Sequence, residues 1–285
     1  MQTFALATLA AALYATGLVT TYYGLRHLDT LTGARVSIPT AALLFWLAFP
    51  FMDTAGWMAP AVAIFALVGC FYPAAVTLLT FAGSRRLGPT VAGTIGSTTP
   101  LFAVLGAALF LGEALGAREL AATAAIVLGT MALSKPAVSD IRSASRSALW
   151  MPVSGALLRS LAQVLSKAGL AFWPNPYVAA LTGYTVSTLF VWVAGMWVTG
   201  SRAPAFNRRG VAWFALTGAL NGSAVLALYY ALATGPVQVV APVVATYPLY
   251  TLALSAIFLK HDWLDARLIG GVMLTVAGVI LLLVR

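Results

Sequence analysis

The chain has 285 residues, of which 61% are hydrophobic and 8% charged, with a mean hydropathy of +0.94. A soluble domain of this size cannot bury so much apolar surface, so the composition excludes a water-soluble globular protein. The formal net charge of +9 would suggest nucleic-acid binding in a soluble chain. Here the basic residues cluster in connections between apolar segments, which indicates a lipid bilayer as the partner and no nucleic acid.

Apolar segments long enough to cross a bilayer, about 20 residues each, recur along the whole chain. We predict ten transmembrane helices, at 3–22, 34–50, 60–82, 89–111, 117–134, 149–172, 177–199, 210–233, 237–259 and 266–284. The first segment lacks the basic start of a secretory signal and is followed by nine more, so we interpret it as a helix of the mature protein. Continuous apolar runs exclude an alternating barrel pattern, and the predicted fold class is all-α integral membrane.

The basic residues are distributed unevenly between the two sides of these helices. Those in or beside the odd-numbered connections are Arg26, Arg35, Arg85, Arg86, Lys135, Arg142, Arg146, Arg202, Arg208, Arg209, Lys260 and Arg267. The opposite side has Arg118, Lys167 and Arg285, and the sixteenth, Arg159, belongs to neither side. By the positive-inside rule, the odd connections are predicted in the cytoplasm and both termini outside.

The longest polar connection divides the predicted helices five and five. We therefore predict a first five-helix repeat at 1–134, a cytoplasmic linker at 135–148 and a second repeat at 149–285. Gly88-Pro89 matches Gly235-Pro236, Pro100 matches Pro248, and Gly129 matches Gly278. Because each repeat has an odd number of spans, the second is inverted relative to the first, as in many secondary transporters with a central cavity.

The sequence GP…P…LGEALGARELAATAAIVLGTMAL at 88–133 and its counterpart GP…P…LKHDWLDARLIGGVMLTVAGVILLL at 235–283 resemble the drug/metabolite transporter superfamily, EamA type. In length and organisation the chain looks nearest to its YddG-like branch of amino acid exporters. The resemblance implies a monomeric transporter of the bacterial inner membrane that exports amino acids, aromatic or hydrophobic, or similar small metabolites by alternating access, without cofactor, metal or enzymatic activity. Lys260-His261 replaces Gly112-Glu113 in the second copy, so we expect Glu113 to be a loop or helix-end feature.

Prolines occur at two kinds of position in the predicted helices. Gly88-Pro89 and Gly235-Pro236 lie at span beginnings, where proline removes no helical hydrogen bond. Pro100, Pro242 and Pro248 lie inside spans, where each is predicted to kink the helix. The kinks are either plain structural bends or the mark of a fourth and ninth helix that face a wet central cavity.

Counting about ten residues into each span reaches the bilayer midplane, at 1.5 Å per residue. Polar side chains lie at or near this depth on helices from both repeats, as a shared substrate site would require. The candidate substrate-binding residues are Tyr14, Tyr72, Thr98, Thr99, Arg159, Gln163, Asn221 and Tyr247. The alternative is structural: serine and threonine bond their own backbone in membrane helices, and tyrosine packs with one hydroxyl partner.

Arg159 is the residue that most strongly indicates a polar site inside the bundle. An arginine at the centre of a span costs about 2.5–3.5 kcal/mol, so it is expected to face protein or water. Gln163, Ser166 and Lys167 fall on the same helix face and form a polar stripe. Lys167, near the outer end, is expected to snorkel to the interface. Arg159 either faces the cavity or forms a structural ion pair or carbonyl cap.

The seven acidic residues and both histidines lie outside the deep parts of the spans, so the predicted site is neutral or positive. This charge argues against proton-for-cation exchange and favours facilitated diffusion or substrate exchange. A guanidinium binds a carboxylate by two parallel hydrogen bonds, and tyrosines suit an apolar side chain, so an amino acid fits.

Two other functions are alternatives to amino acid export. An exchanger of phosphorylated metabolites or nucleotide sugars would need a second basic residue in the cavity, for which Lys167 is the candidate. An integral membrane lipid-modifying enzyme would need paired catalytic groups, and no two of Asp, Glu or His share a span, so no catalytic residue is assigned.

Overall fold

The structure, a computed structural model, describes residues 1–87, 95–133, 148–199, 206–259 and 266–284. Within these ranges the chain forms a short 3₁₀ helix, Phe49–Phe51, and twelve α-helices. The α-helices are α1 (Gln2–Gly24), α2 (Thr30–Ala48), α3 (Ala59–Phe71), α4 (Ala74–Leu87), α5 (Thr99–Leu111), α6 (Ala117–Leu133), α7 (Trp150–Phe172), α8 (Pro176–Thr199), α9 (Arg208–Thr234), α10 (Val237–Val244), α11 (Tyr247–Leu259) and α12 (Ala266–Leu283).

The predicted all-α fold is confirmed: the described residues contain helices and no strands. The third predicted span consists of α3 and α4, and the ninth consists of α10 and α11. Six described segments are long and apolar enough to cross a membrane, and α5 and most of α12 are shorter apolar helices. The chain is therefore a multi-pass membrane protein. Exposed leucine and tryptophan side chains on the outside of the bundle fit this conclusion, because their solvent is lipid.

Small residues let the helices of the two repeats approach closely. Along the antiparallel pair α1 and α9, Thr20 and Thr217 join their hydroxyls at 2.8 Å. A Cβ atom on Gly24 would lie 2.8 Å from the Phe214 ring. Contacts of this kind are typical of membrane helices, whose association depends on close packing and interhelical hydrogen bonds.

The last helices of the two repeats, α6 and α12, cross at a pair of matched glycines. A Cβ on Gly129 would lie 2.8 Å from the carbonyl oxygen of Gly271, and one on Gly278 would lie 2.8 Å from that of Ala122. The contacts run in opposite directions along the two helices, so α6 and α12 are antiparallel. This is the relation expected of equivalent helices in inverted repeats.

The fourth and ninth spans are broken at equivalent threonines. The backbone N–H of Thr98 donates to the carbonyl of Ile95 at 3.0 Å, and that of Thr246 donates to Val243 at 3.1 Å. Each hydroxyl donates to the same carbonyl as its own N–H, at 2.6 Å for Thr98 and 2.7 Å for Thr246. The two breaks therefore share one hydrogen-bonding pattern, and each threonine stands two residues before one of the matched prolines, Pro100 and Pro248.

The prediction that prolines kink continuous helices was wrong for Pro100 and Pro248. Each lies in the first turn of a new helix, after a two-residue turn. Proline is accommodated there because the first N–H groups of a helix have no partner in the helix. Pro242 does lie inside a helix, α10, which continues to Val244 before the break.

The predicted position of Gly235-Pro236 at a span beginning agrees with the structure, in which Gly235 is the C-cap of α9 and Pro236 the N-cap of α10. Their counterparts Gly88 and Pro89 lie outside the described residues.

A third break, between α3 and α4, was not predicted. It falls at Tyr72-Pro73, in the middle of the predicted span 60–82. The N–H of Ala74 after the break donates to the buried hydroxyl of Ser187 on α8 at 2.9 Å. A side chain of the other repeat thus satisfies a backbone group that the break leaves unpaired, as a membrane interior requires.

Candidate substrate-binding cavity

The bundle has two ends that differ in structure. At one end Gly24 contacts Phe214, and Pro152 of α7 lies next to Gly83 of α4. We call it the linker end, since α6 leaves the bundle and α7 enters it there. At the other end the hydroxyl of Thr3 donates a hydrogen bond to the carbonyl of Thr234. We call this one the termini end, because α1 begins and α12 finishes there.

A cavity of about 240 Å³ extends from the middle of the bundle toward the linker end. Its lining residues on α1, α7 and α9 come from the middle and the linker-end part of each helix; on α1 they are Tyr14, Leu18 and Thr21. The turns that break the fourth and ninth spans border the cavity at Ser97 and Ala245. The broken helices of both repeats therefore face the same chamber.

Seven of the eight candidate substrate-binding residues line this cavity: Tyr14, Tyr72, Thr99, Arg159, Gln163, Asn221 and Tyr247. Thr98 is not among the lining residues, and its hydroxyl is bonded to the Ile95 carbonyl. Thr99 also bonds its own helix, at the Gly96 carbonyl, although it borders the cavity. Residues chosen from the sequence by their depth along each span are thus neighbours around one cavity.

Other polar lining residues were missed from the sequence. Tyr184 lies close to the middle of α8, so the same depth count would have included it. Thr21, Thr77 and Thr217 lie nearer the linker end, at depths that a search restricted to the midplane leaves out. They extend the polar lining from the middle of the bundle toward its linker end.

Tyrosines close the deep end of the cavity. The hydroxyls of Tyr14 and Tyr72 are 2.8 Å apart and form a hydrogen bond. Tyr72 is 8% exposed and Tyr184 is 3% exposed, so both rings are largely enclosed by other side chains. Arg159 lines the same cavity as this pair.

Arg159 is the one charged side chain that lines the cavity in the described part of the chain. It forms no hydrogen bond or ion pair with any described residue, and it is partly exposed to the cavity. The structural alternative, in which Arg159 holds helices together through an ion pair or a carbonyl cap, therefore finds no partner within residues 1–87, 95–133, 148–199, 206–259 and 266–284.

Gln163 lies one helical turn beyond Arg159 on the same face of α7. Its side chain is 6% exposed, and its Oε1 atom is buried without a hydrogen-bond partner among the residues that the structure describes. A buried polar atom without a partner costs free energy, so such an atom beside a cavity is a site where a ligand donor would be stabilised.

The rest of the polar stripe on α7 does not border the cavity. Ser166 is fully buried and lies beside Tyr229. Lys167 was expected to snorkel to the membrane interface; instead its ammonium donates to the backbone carbonyls of Leu232 at 2.6 Å and Gly235 at 2.9 Å. The reason is that the C-terminal carbonyls of α9 have no partner within the helix and attract a cation.

The fold and the cavity define a class of membrane protein: a helical bundle of two antiparallel repeats around a solute-sized chamber. Residues 2–135 and 146–284 match the EamA-like transporter family. The chain belongs to this family, and the class of small-molecule membrane transporters follows from it.

A solved crystal structure of another protein shares the fold, with a TM-score of 0.79 and 15% sequence identity over 98% of this chain and 95% of the other. No curated protein sequence matches the chain. Structural similarity at this identity establishes the fold alone.

Proposed function

We propose that the protein exports amino acids, aromatic or hydrophobic, or similar small metabolites, across a bacterial-type inner membrane. Transport proceeds by alternating access between repeats 1–134 and 149–285, joined by a cytoplasmic linker at 135–148, in a monomer of the YddG-like branch. The observation that carries the proposal is Arg159, which lines a mid-bundle cavity and has no hydrogen-bond or ion-pair partner among the described residues.

The cavity offers a partner for each part of an amino acid. The Arg159 guanidinium suits the carboxylate, because it donates two parallel hydrogen bonds to such a group. Gln163 Oε1 and the tyrosine hydroxyls are acceptors for the ammonium group, in a lining whose described residues include no carboxylate. Apolar walls such as Ile38, Val225 and Leu228 suit a hydrophobic side chain.

The size of the cavity supports a small substrate. Pockets for small molecules in proteins usually measure about 300–1,000 Å³, and the volume here, about 240 Å³, lies just below that range. A single amino acid is a better match for this volume than a nucleotide sugar, which has a base, a ribose, a diphosphate and a hexose to enclose.

The exchange of phosphorylated metabolites is less well supported. A phosphate ester carries up to two negative charges at neutral pH, which favours a site with more than one cation. Lys167, the second cation considered from the sequence, is bound to helix carbonyls and is absent from the cavity lining.

A lipid-modifying enzyme is less well supported than a transporter. The described lining of the cavity includes no Asp, Glu, His or Cys, and the described residues hold no cluster of three such side chains. Acid–base and metal-assisted catalysis both depend on such groups.

Uptake into proteoliposomes tests the proposal. Wild-type protein is expected to carry L-phenylalanine, and Arg159→Leu is expected to reduce its kcat/KM by roughly tenfold to a hundredfold, since hydrogen bonds to charged groups contribute about 1.5–3 kcal/mol. Arg159→Lys keeps the charge but not the paired donors, so it should retain part of the activity. Arg26→Leu, at an exposed arginine outside the cavity, is the control and should transport normally.

Substrate analogues then separate the two polar contacts. Against 3-phenylpropionate, which lacks the ammonium, Gln163→Leu should lose less than it loses against L-phenylalanine. Phenethylamine, which lacks the carboxylate, should be insensitive to Arg159→Leu. Full activity of Arg159→Leu with L-phenylalanine, or preferential uptake of glucose 6-phosphate by the wild type, would contradict the proposal.

A further inference from the structure

Glu113 follows a sharp end of helix α5 and reaches the other repeat. Gly112 has a left-handed backbone, with φ of 67°, which ends α5 and turns the chain. The two carboxylate oxygens of Glu113 accept hydrogen bonds from the backbone N–H groups of Val237 at 2.9 Å and Gln238 at 3.1 Å. These N–H groups begin α10 and have no partner within that helix, and a negative charge there is favoured by the helix dipole.

Lys167 makes the corresponding contact of opposite charge, on the helix that precedes α10. Its ammonium donates to the carbonyls of Leu232 and Gly235, at the C-terminal end of α9. A cation is favoured at this end of a helix for the same reason that an anion is favoured at the start of the next. Lys167 and Glu113 thus place opposite charges on the two sides of one turn.

A third contact joins the same turn to the start of the chain. The Thr3 hydroxyl lies 3.1 Å from both the carbonyl and the hydroxyl of Thr234. We call residues 234–238 the clamped turn. It is contacted by Thr3 of α1, by Glu113 after the C-cap of α5 and by Lys167 of α7. Two of these three contacts cross between the repeats, at the termini end of the bundle.

In the second copy of the sequence, Lys260-His261 replaces Gly112-Glu113 and Asp262 follows; these three residues lie outside the described part of the chain. The cavity extends toward the linker end, opposite the clamped turn. The contacts of Glu113 and Lys167 therefore lie at the end of the bundle toward which the cavity does not extend.

We propose that Glu113 and Lys167 form a latch on the clamped turn that keeps the termini end closed and is released each time that end opens. The inference uses the alternating access of the proposed function, but it does not depend on the identity of the substrate. The latch biases the resting protein toward the form whose cavity extends to the linker end.

Thiol labelling measures the opening directly, without substrate. The labelling uses a Cys70→Ala background, which removes the single native cysteine. Val240→Cys reports on the termini end, because Val240 is fully buried in α10, three residues after the first residue of that helix. Thr77→Cys, in the cavity lining, reports on the linker end. A charged, membrane-impermeant methanethiosulfonate reagent reacts with each at a rate proportional to the fraction of time that the thiol is exposed.

Glu113→Gln and Lys167→Met are each expected to raise the labelling rate at Val240→Cys by about tenfold, in line with the free energy of a charged cap at a helix end. The labelling at Thr77→Cys should stay constant or fall. The matched control is Glu119→Gln, which removes a carboxylate from the first turn of neighbouring α6 without touching the clamped turn.

Unchanged labelling at Val240→Cys in both latch variants would overturn the proposal. So would an equal rise at both reporter thiols, because that pattern shows general loosening rather than opening of one end. Altered labelling in a protein that carries no amino acid would leave the latch standing and remove the proposed function. Amino acid transport with unaltered labelling would do the reverse.

Discussion

Helix α1 passes through two different environments between the ends of the bundle. Toward the termini end Ala7, Ala10 and Ala11 are all fully buried, whereas toward the linker end Leu18 is 47% exposed and lines the cavity. The same contrast holds for the second repeat, in which Val237 and Val240 are fully buried and Tyr247 borders the cavity. The termini end of the bundle is packed like a protein core, whereas the cavity occupies the part of the bundle toward the linker end.

Repetition of a five-helix unit therefore does not make the two ends of the bundle equivalent. The matched positions share their turns and their glycines, whereas two charged side chains, Glu113 and Lys167, cap helix ends at the termini end. In the proposed transport cycle, such contacts of individual side chains decide which conformation is populated.

Two glycines offer the strongest test of this contrast. A Cβ on Gly235, at the termini end, would overlap the Thr3 side chain, whereas a Cβ on Gly96, beside the cavity, would meet nothing within 4 Å. Gly235→Val should therefore cost about 1–3 kcal/mol of stability, as overpacking usually does. Gly96→Ala should stay within about 0.5 kcal/mol of the wild type. Thermal unfolding in detergent measures both, and equal losses would show that the two sites are packed alike.

The paired breaks are expected to have a smaller effect, on rate. Pro100→Ala and Pro248→Ala restore an N–H group and so permit the two half-helices to join, which should change turnover by roughly fivefold, or about 1 kcal/mol. Substrate affinity should change less. Pro39→Ala is the control, because Pro39 lies inside the unbroken helix α2. If all three variants turn over alike, the breaks are plain structural features.

A similarly small effect, on stability, is expected at the linker end outside the cavity. Asp29 caps α2; burial raises the pKa of its carboxyl, but hydrogen bonds from Thr32 and Leu31 outweigh this and lower it. Asp29→Ala should cost about 1 kcal/mol. Because the folded pKa is depressed, this contribution is present above the unfolded value, about 3.9, and is lost as the pH falls through the folded pKa. Melting temperatures of both proteins between pH 3 and 7 should converge at the acidic end.

Several features of the fold and the candidate site could be predicted from the sequence. The periodic Gly-Pro and proline positions identified the repeat, and depth along each span brought seven of the eight candidate residues to one cavity. Such features depend on local sequence and on the fixed rise of a helix. The break at Tyr72-Pro73 was missed because its unpaired N–H is satisfied by Ser187, which is distant in sequence.

The partners of charged side chains were harder to predict. Glu113 was expected to be a loop or helix-end feature, and it is one, but its partner helix begins more than a hundred residues later. Lys167 was expected at the interface because the snorkelling rule considers one helix and the bilayer, and the rule contains no information about the carbonyls of a neighbouring helix. The direction in which the cavity extends likewise depends on packing between both repeats.

The crossing of α6 and α12 at Gly129 and Gly278 has a consequence for any motion of the bundle. Backbone carbonyls already approach each glycine so closely that even a methyl group would overlap them. There is no spare volume for the two helices to move closer at this point, and sliding one along the other would bring residues with a Cβ against those carbonyls. We therefore expect α6 and α12 to move as one unit in any rearrangement of the bundle.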